Sequence, residues 1–327
     1  MNILFLLGNG FDINLGLPTS YAKFYDYYLS DRLKPELLND NVKKLRDDIG
    51  ENRADWADLE LQMGRYLMKV NDEQTADSIH RSLKLSLIEY LNSVLNGFSC
   101  DDGQRKKFIA DLTSPEKYML VEDRNAILEF KQRETYKNVN VISFNYDDIF
   151  ESIVGFGSAP VKLNDNYKLN CVEHIHGTLK GSLVIGLDNE AQIHNAKLLE
   201  SSFLRNKYIK SNYCKIVRDG RDSRCKSLIN SADVFYMFGL SIGETDKRWW
   251  VYIAERLRTS NAKLIIFWFD KDNRFTSQDV VEQFEEEQRI KNLFLSFSDF
   301  DEINREVLFS QIYVKIFTQQ ESGFLKI

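Results

Sequence analysis

Residues Asn2–Asp12 read NILFLLGNGFD. Five large apolar residues in a row, Ile3 to Leu7, form a continuous hydrophobic run with no polar alternation, the pattern of a strand covered on both faces of a parallel sheet. The run stops at Gly8-Asn9-Gly10, which reads as a tight turn. Working outward, further short apolar runs stand at Val139–Phe144, Val172–Ile175, Leu183–Ile185, Val234–Phe238 and Leu264–Phe269, with weaker ones at Asn292–Phe297 and Ile312–Phe317. Between the first and second runs the period changes. Trp56, Leu59, Met63, Tyr66, Leu67 and Val70, then Ile79, Leu83, Leu87, Leu91, Val94, Leu95 and Phe98, fall at spacings of three and four, which predicts two amphipathic helices with Trp56 in the core. A third helix is predicted over Gln104–Leu112. Strands separated by helices predict an α/β protein with a doubly wound, mostly parallel sheet. The helical block of residues 51–135 is too long for a simple crossover and reads as an inserted helical subdomain, with residues 1–50 and 136–327 forming the core.

Composition bounds the function. A chain of 327 residues and 38.2 kDa has room for about two domains of roughly 150 residues. Its 16 glycines and 4 prolines are too few for a collagenous or low-complexity protein. No apolar run approaches the roughly 18 residues of a membrane span, and no basic segment precedes the first run, so neither a membrane nor a signal peptide is expected. A net charge of −6 gives no general attraction for nucleic acid. The four cysteines include no CxxC pair and the four histidines are scattered, so no metal site is expected and reduced thiols in the cytoplasm are.

Polar residues collect where the strands end. The first run leads into GNGFD (Gly8–Asp12), the next into SFNYDDIFE (Ser143–Glu151), the third into HIHG (His174–Gly177), the fifth into FGLSIGETD (Phe238–Asp246) and the sixth into FWFD (Phe267–Asp270). Ligands of open parallel sheets lie beyond the carboxyl ends of the strands, and glycine there lets backbone N–H groups approach a phosphate. The spacing Gly8, Gly10, Gly16 is not that of the dinucleotide fingerprint, and a plain turn accounts for it equally. Asn145 is either a turn former or a site residue. His174 and His176 share a face by the two-residue period, which leaves open which faces a ligand and which is a buried partner.

These stretches, with LFLLGNGFDINLGLPTSYAKF (Leu4–Phe24) and WADLE (Trp56–Glu60), resemble the bacteriophage abortive-infection AbiH family over about three quarters of the chain. That family in turn resembles the sirtuin-like NAD-binding superfamily, which implies a Rossmann-like core and antiphage activity by hydrolysis of NAD. The resemblance implies Asn145, His176 and Asp147 as catalytic residues. It implies Gly8, Asn9, Gly10, Phe11 and Asp12 as the phosphate turn and Gly239 and Ser241 as a ribose-side turn. The zinc ribbon of sirtuins, with its paired CxxC, is absent, which argues against a protein deacylase. The implied partner is NAD or a related nucleotide, as substrate. A toxic NAD hydrolase also implies restraint, by homo-oligomer formation or by a phage-derived trigger.

Cleavage of the nicotinamide–ribose bond passes through an oxocarbenium-like ribose, as glycoside cleavage does. Asn145 would orient the ribose or a water, and His176, with a pKa near neutral, would take a proton. Asp147 or Asp12 would stabilise the developing cation. Two other functions fit the same residues. One is a nucleotide sensor without turnover. The other is a magnesium-dependent nuclease using Glu60, Asp147, Asp148 and Asp246. Glu60 is either a solvated helix residue or reaches into the crevice. Phe203–Lys226, with eight lysines and arginines, is either a solvated face or a contact for phosphates, a nucleic-acid trigger or an acidic partner. Glu282, Glu285, Glu286 and Glu287 read as an exposed acidic helix.

Overall fold

The opening run forms β1 (Asn2–Leu7), which lies in the middle of the sheet and hydrogen-bonds to strands far away in sequence. The structure, a computed structural model, describes residues 1–272, 274–276, 278–317 and 323–327. The other strands are β2 (Lys137–Ser143), β3 (Val161–Lys162), β4 (Tyr167–His174), β5 (Val234–Phe238), β6 (Lys263–Phe269) and β7 (Ile312–Phe317). Their order across the sheet is β3-β4-β2-β1-β5-β6-β7. Every pair is parallel except β3 with β4. The chain steps outward from β1 through β2 to β4, then returns to β5 on the other side. The order therefore reverses at β1, where a crevice opens beyond the strand ends of such sheets.

Register brings those ends level. Leu7 pairs with both Ser143 and Phe238, and Ser143 pairs with His174. The turns that follow β1, β2, β4 and β5 consequently leave the sheet side by side. Both faces of the sheet are covered, as a continuous apolar strand requires. Leu4, Leu6, Ile142, Met237 and Ile266 belong to one hydrophobic cluster, and Ile3, Phe5, Val141, Tyr236 and Ile265 to another.

The helices are α1 (Asn9–Asn14), α2 (Tyr21–Tyr28), α3 (Asp40–Glu51), α4 (Leu59–Tyr66), α5 (Glu73–Leu95), α6 (Asp102–Thr113), α7 (Val121–Lys131) and α8 (Ile149–Val154). After β4 come α9 (Ala196–Leu199), α10 (Ser202–Tyr208), α11 (Lys210–Val217) and α12 (Arg221–Ser231), then α13 (Lys247–Arg258), α14 (Val280–Leu295) and α15 (Glu302–Phe309). Helices α2 to α5 gather around Phe24, Tyr25 and the fully buried Trp56, and this third cluster draws in Leu183, Ile185, Leu187, Leu204 and Tyr208 from after β4. The predicted third helix is α6, but its Phe108 and Leu112 pack beneath the sheet rather than with α2 to α5. No helix among the described residues is long and apolar enough to cross a membrane.

Three expectations need correction. Leu183–Ile185 is not a strand. It runs as an extended segment beside the turn after β4, tied by the Val184 N–H to the His176 carbonyl (2.9 Å), and its side chains are buried without a neighbouring strand to complete a ladder. Asn292–Phe297 is mostly the last turn of α14, a short apolar run that length alone would assign to either element. The acidic stretch on α14 is not wholly exposed. Glu286 is buried between Arg274 (2.8 Å) and Arg289 (2.7 Å), and its hydrogen bond from Arg289, backed by Arg274, outweighs burial and lowers its pKa to about 2.

Candidate functional site

Two glycine turns meet at the centre of the sheet. The Gly8 N–H donates to the Phe238 carbonyl (3.0 Å), the Gly10 N–H to the Gly239 carbonyl (2.8 Å) and the Phe11 N–H to the Gly8 carbonyl (2.8 Å). A Cβ on Gly10 would stand 2.6 Å from the Gly239 Cα, and one on Gly239 would stand 2.4 Å from the Phe11 nitrogen. Gly239 also has a φ of +72°, so these turns need glycine for their contact with each other. The turn expected to cradle a phosphate therefore has three of its N–H groups already bonded within the protein. The Asn9 amide is likewise engaged, donating to the Thr19 carbonyl (3.1 Å). Ser241 is exposed, unlike Asp12, Asn145, Asp147 and His176, all of which are buried.

Asn145 joins the ends of β1 and β2. Its amide donates to the Gly8 carbonyl (3.2 Å) and its backbone N–H to the Ser143 hydroxyl (3.2 Å). Its own carbonyl faces His174 Nδ1 at 3.0 Å, while His174 Nε2 lies 2.6 Å from Glu151. Burial disfavours charge on His174, but the Glu151 hydrogen bond and carboxylate, with the Asn145 carbonyl, raise its pKa. Each histidine thus has an acid of its own, and neither is the other's partner. Asp12 and Asp147 form a carboxyl pair beside Asn145. Burial, then the charge of Asp147, pushes Asp12 well above the usual carboxylate range. The Asp12 Oδ1 is buried without a hydrogen-bond partner. Asp147 accepts from the Ile149 N–H at 3.1 Å, which pins the start of α8.

His176 lies just past β4, 4% exposed. Its ring stands edge-on to Phe144 (centroids 5.6 Å apart) and tilted to Tyr146 (6.5 Å). Nε2 is 3.0 Å from Asp246 Oδ1, off the line of a hydrogen bond, and neither ring nitrogen has a hydrogen-bond partner. The same Asp246 oxygen is 3.0 Å from Lys210 Nζ, and Lys210 is 2.6 Å from Glu60 Oε2. Glu60 Oε1 accepts from the Gly186 N–H at 3.0 Å. Tyr146 hydrogen-bonds to Tyr21 within the field of Glu60 and Asp246. The site thus joins the ends of β2 and β4 and the turn before α13 to helices α4 and α11.

The expected near-neutral histidine is corrected here. Burial, followed by the Lys210 charge, drives the His176 pKa down to about 4. The near-neutral group is Glu60, pushed up to about 7 by burial against the pull of Lys210. Asp246 is held below the carboxylate range: burial acts to raise it, and Lys210 and His176 more than offset that. Of the two readings of Glu60, the buried one holds. Position predicts it, because the Asp58 side chain caps α4 by accepting from the Leu61 N–H (3.0 Å), and this start turns Leu59, Glu60 and Met63 inward. Lys210, 2% exposed, was hidden in a charged run of which Lys215, Arg218, Arg224 and Lys226 are exposed. Tyr21 lies within the opening motif, at the start of α2, with no sequence signal to set it apart.

The four acids proposed for magnesium do not assemble. Glu60 and Asp246 share Lys210, Asp147 is with Asp12, and Asp148 is on Lys180 (2.5 Å) at the surface. Among the described residues, no three His, Cys, Asp or Glu side chains are grouped to hold a metal. Compared with known families, residues 4–268 match the model of bacteriophage abortive infection AbiH. No curated protein matches the chain.

Proposed function

The chain belongs to the bacteriophage abortive infection AbiH family, and from that premise we propose that it is a cytoplasmic antiphage effector that hydrolyses NAD at the nicotinamide–ribose bond. The observation that carries this reading is the His176 ring, buried at a strand end with both nitrogens free of hydrogen bonds. Buried polar groups are nearly always paired; with Asp246 3.0 Å from Nε2, the ring's Nδ1 is the atom left to meet a polar ligand. Supporting it, the six parallel strands follow the order 3-2-1-4-5-6 when numbered among themselves. That is the order of doubly wound dinucleotide-binding sheets, whose ligand lies where the order reverses.

In this mechanism nicotinamide leaves as a neutral base with the bonding electron pair, and water adds to the oxocarbenium carbon. The water's proton passes to His176, which is neutral at physiological pH, and Asp246 stabilises the imidazolium so formed. The Asp12–Asp147 carboxyl pair faces the developing positive charge. Its test is incubation of the purified chain with NAD, alone and with phage lysate, followed by chromatography for nicotinamide and ADP-ribose. Appearance of both, abolished in His176→Gln, supports the reading. No product under either condition overturns it.

A second reading, a nucleotide sensor without turnover, is favoured by one observation. The glycine-turn N–H groups are bonded to protein carbonyls, so a phosphate must displace them. Calorimetric NAD binding with no product would select it.

A further inference from the structure

Part of the buried charge around His176 does not come from the sheet. Lys210 arrives from α11 and Glu60 from α4, and the one Asp246 oxygen between them and the ring is 3.0 Å from Lys210 Nζ and 3.0 Å from His176 Nε2. A cation resting on this oxygen offsets part of the negative charge that acts on the ring. We infer that Glu60 is a positioning residue of this site: by competing for Lys210 it sets how much of Asp246 is left to support the His176 ring. The inference rests on the reading of His176 as the proton acceptor, and its test has a readout separate from turnover.

The geometry holds Glu60 to this task. One carboxylate oxygen is fixed by the Gly186 N–H. Gly186 cannot retreat, because its backbone packs so closely on Tyr208 that a Cβ there would stand 2.4 Å from the Tyr208 carbonyl. Among the described residues the other oxygen reaches only Lys210, which also donates to the Thr245 carbonyl (3.1 Å). When Glu60 is ionised, Lys210 is balanced from its side and the Asp246 charge acts on the ring. When Glu60 is protonated, Lys210 draws on Asp246 alone and the proton affinity of His176 falls. The other ionisable groups in the field are Tyr21, Tyr146 and Asp58 around Glu60, and Asp188 and Arg248 around Asp246 and His176. The two tyrosines are held neutral, since burial pushes both well above their usual value. The pKa of Glu60, about 7, lies where cells operate.

The chain has four histidines, so its imidazole nitrogens can be followed by NMR and assigned by single substitutions. In the wild type the His176 ring shifts should show an inflection near pH 7, reporting Glu60 rather than the ring itself. Glu60→Gln should abolish that inflection, and His174→Gln should leave it in place. Lys210→Met should also remove it. A wild-type His176 signal that is flat from pH 6 to 8 overturns the inference, even if the variants do not fold. An inflection that survives Glu60→Gln overturns it too. If NAD is cleaved, Glu60→Gln should also flatten the pH–rate profile about pH 7. An inflection without NAD cleavage retires the proposed reaction and keeps the coupling. Cleavage without the inflection does the reverse.

Discussion

Two lysines of this chain are buried almost completely, with opposite consequences. Lys131, 3% exposed, lies 2.8 Å from Glu116. That carboxylate also accepts from the Tyr236 hydroxyl (3.2 Å), and the rings of Tyr167 and Tyr236 stand 5.3 and 5.7 Å from the ammonium. One cation meets one anion, and aromatic faces cover what remains. Lys210 meets two carboxylates, and the second of these leads on to an imidazole without a hydrogen bond. Burial lowers the Lys131 pKa. At Lys210 burial acts the same way, but Asp246 and Glu60 overcome it and raise the value. A closed pair holds the fold together. An open one leaves a proton without a fixed place, and that is where chemistry is expected.

The contrast breaks most sharply on function. His176→Gln should lower NAD turnover by about 10²–10⁴-fold, the usual loss with a proton acceptor, with a nearly unchanged urea midpoint. Lys131→Met should do the opposite. It strands Glu116 in the core and costs about 3–5 kcal/mol in urea unfolding, recovered largely by the double variant Lys131→Met/Glu116→Leu. Equal losses of stability in both single variants would erase the distinction.

A smaller stability loss, roughly half that of Lys131→Met, is expected for Lys210→Met. Glu60 can shed its charge by taking a proton, and His176 can take one to pair with Asp246. Parallel urea titrations of the two variants would settle whether the open cluster relaxes in this way.

The pH dependence tests the same cluster. Glu60 rises from an ordinary 4.5 to about 7, so between those values the folded state binds the extra proton and stability falls as pH rises. His176 falls from 6.5 to about 4, so in that window the unfolded state binds more protons and stability rises with pH. Each shift is worth about 3 kcal/mol, and over pH 4.5–6.5 the two slopes oppose. Relative to wild type, Glu60→Gln should gain stability as pH rises from 4.5 to 7, and His176→Gln should lose it from 4 to 6.5. Urea midpoints at half-unit steps would show the crossing, and parallel curves would refute the assignment.

The smallest effects belong to the rest of the charged run. Lys215→Ala and Arg218→Ala, both exposed, should change stability by less than about 0.5 kcal/mol and leave turnover unaltered. A loss of phage protection with turnover intact would instead mark this face as a partner surface.

The sequence carried the sheet well because β1, β2, β5 and β6 are buried on both faces and so are written as unbroken apolar runs. Leu183–Ile185 has the same composition without a strand beside it, and composition does not distinguish the two. Asn145, His176 and Asp246 were legible from their places after strands. Lys210 was not, since a lysine among lysines shows no sign of burial until the chain path puts two carboxylates around it. Glu60 was half legible. Its motif placed it on a helix, but the face it turned inward depended on the Asp58 cap. The glycines had a structural role the sequence did not show: Gly8, Gly10 and Gly239 carry a motif suited to phosphate, and in the structure their two turns bond to each other.

The position of β1 has a consequence in time. It is made first, yet its two neighbours follow it in sequence by more than a hundred residues on one side and roughly 230 on the other. At about 5–20 residues per second, the ribosome needs on the order of 10–50 s after β1 to deliver β5. Through that interval an apolar segment waits without its second partner, and non-local pairing of this kind is slow and prone to aggregation. Asp246 comes later still, so the open cluster around Lys210 cannot form before that residue is made. Until Asp246 is made, a cell translating this protein carries Glu60 and Lys210 without the carboxylate that links them to His176.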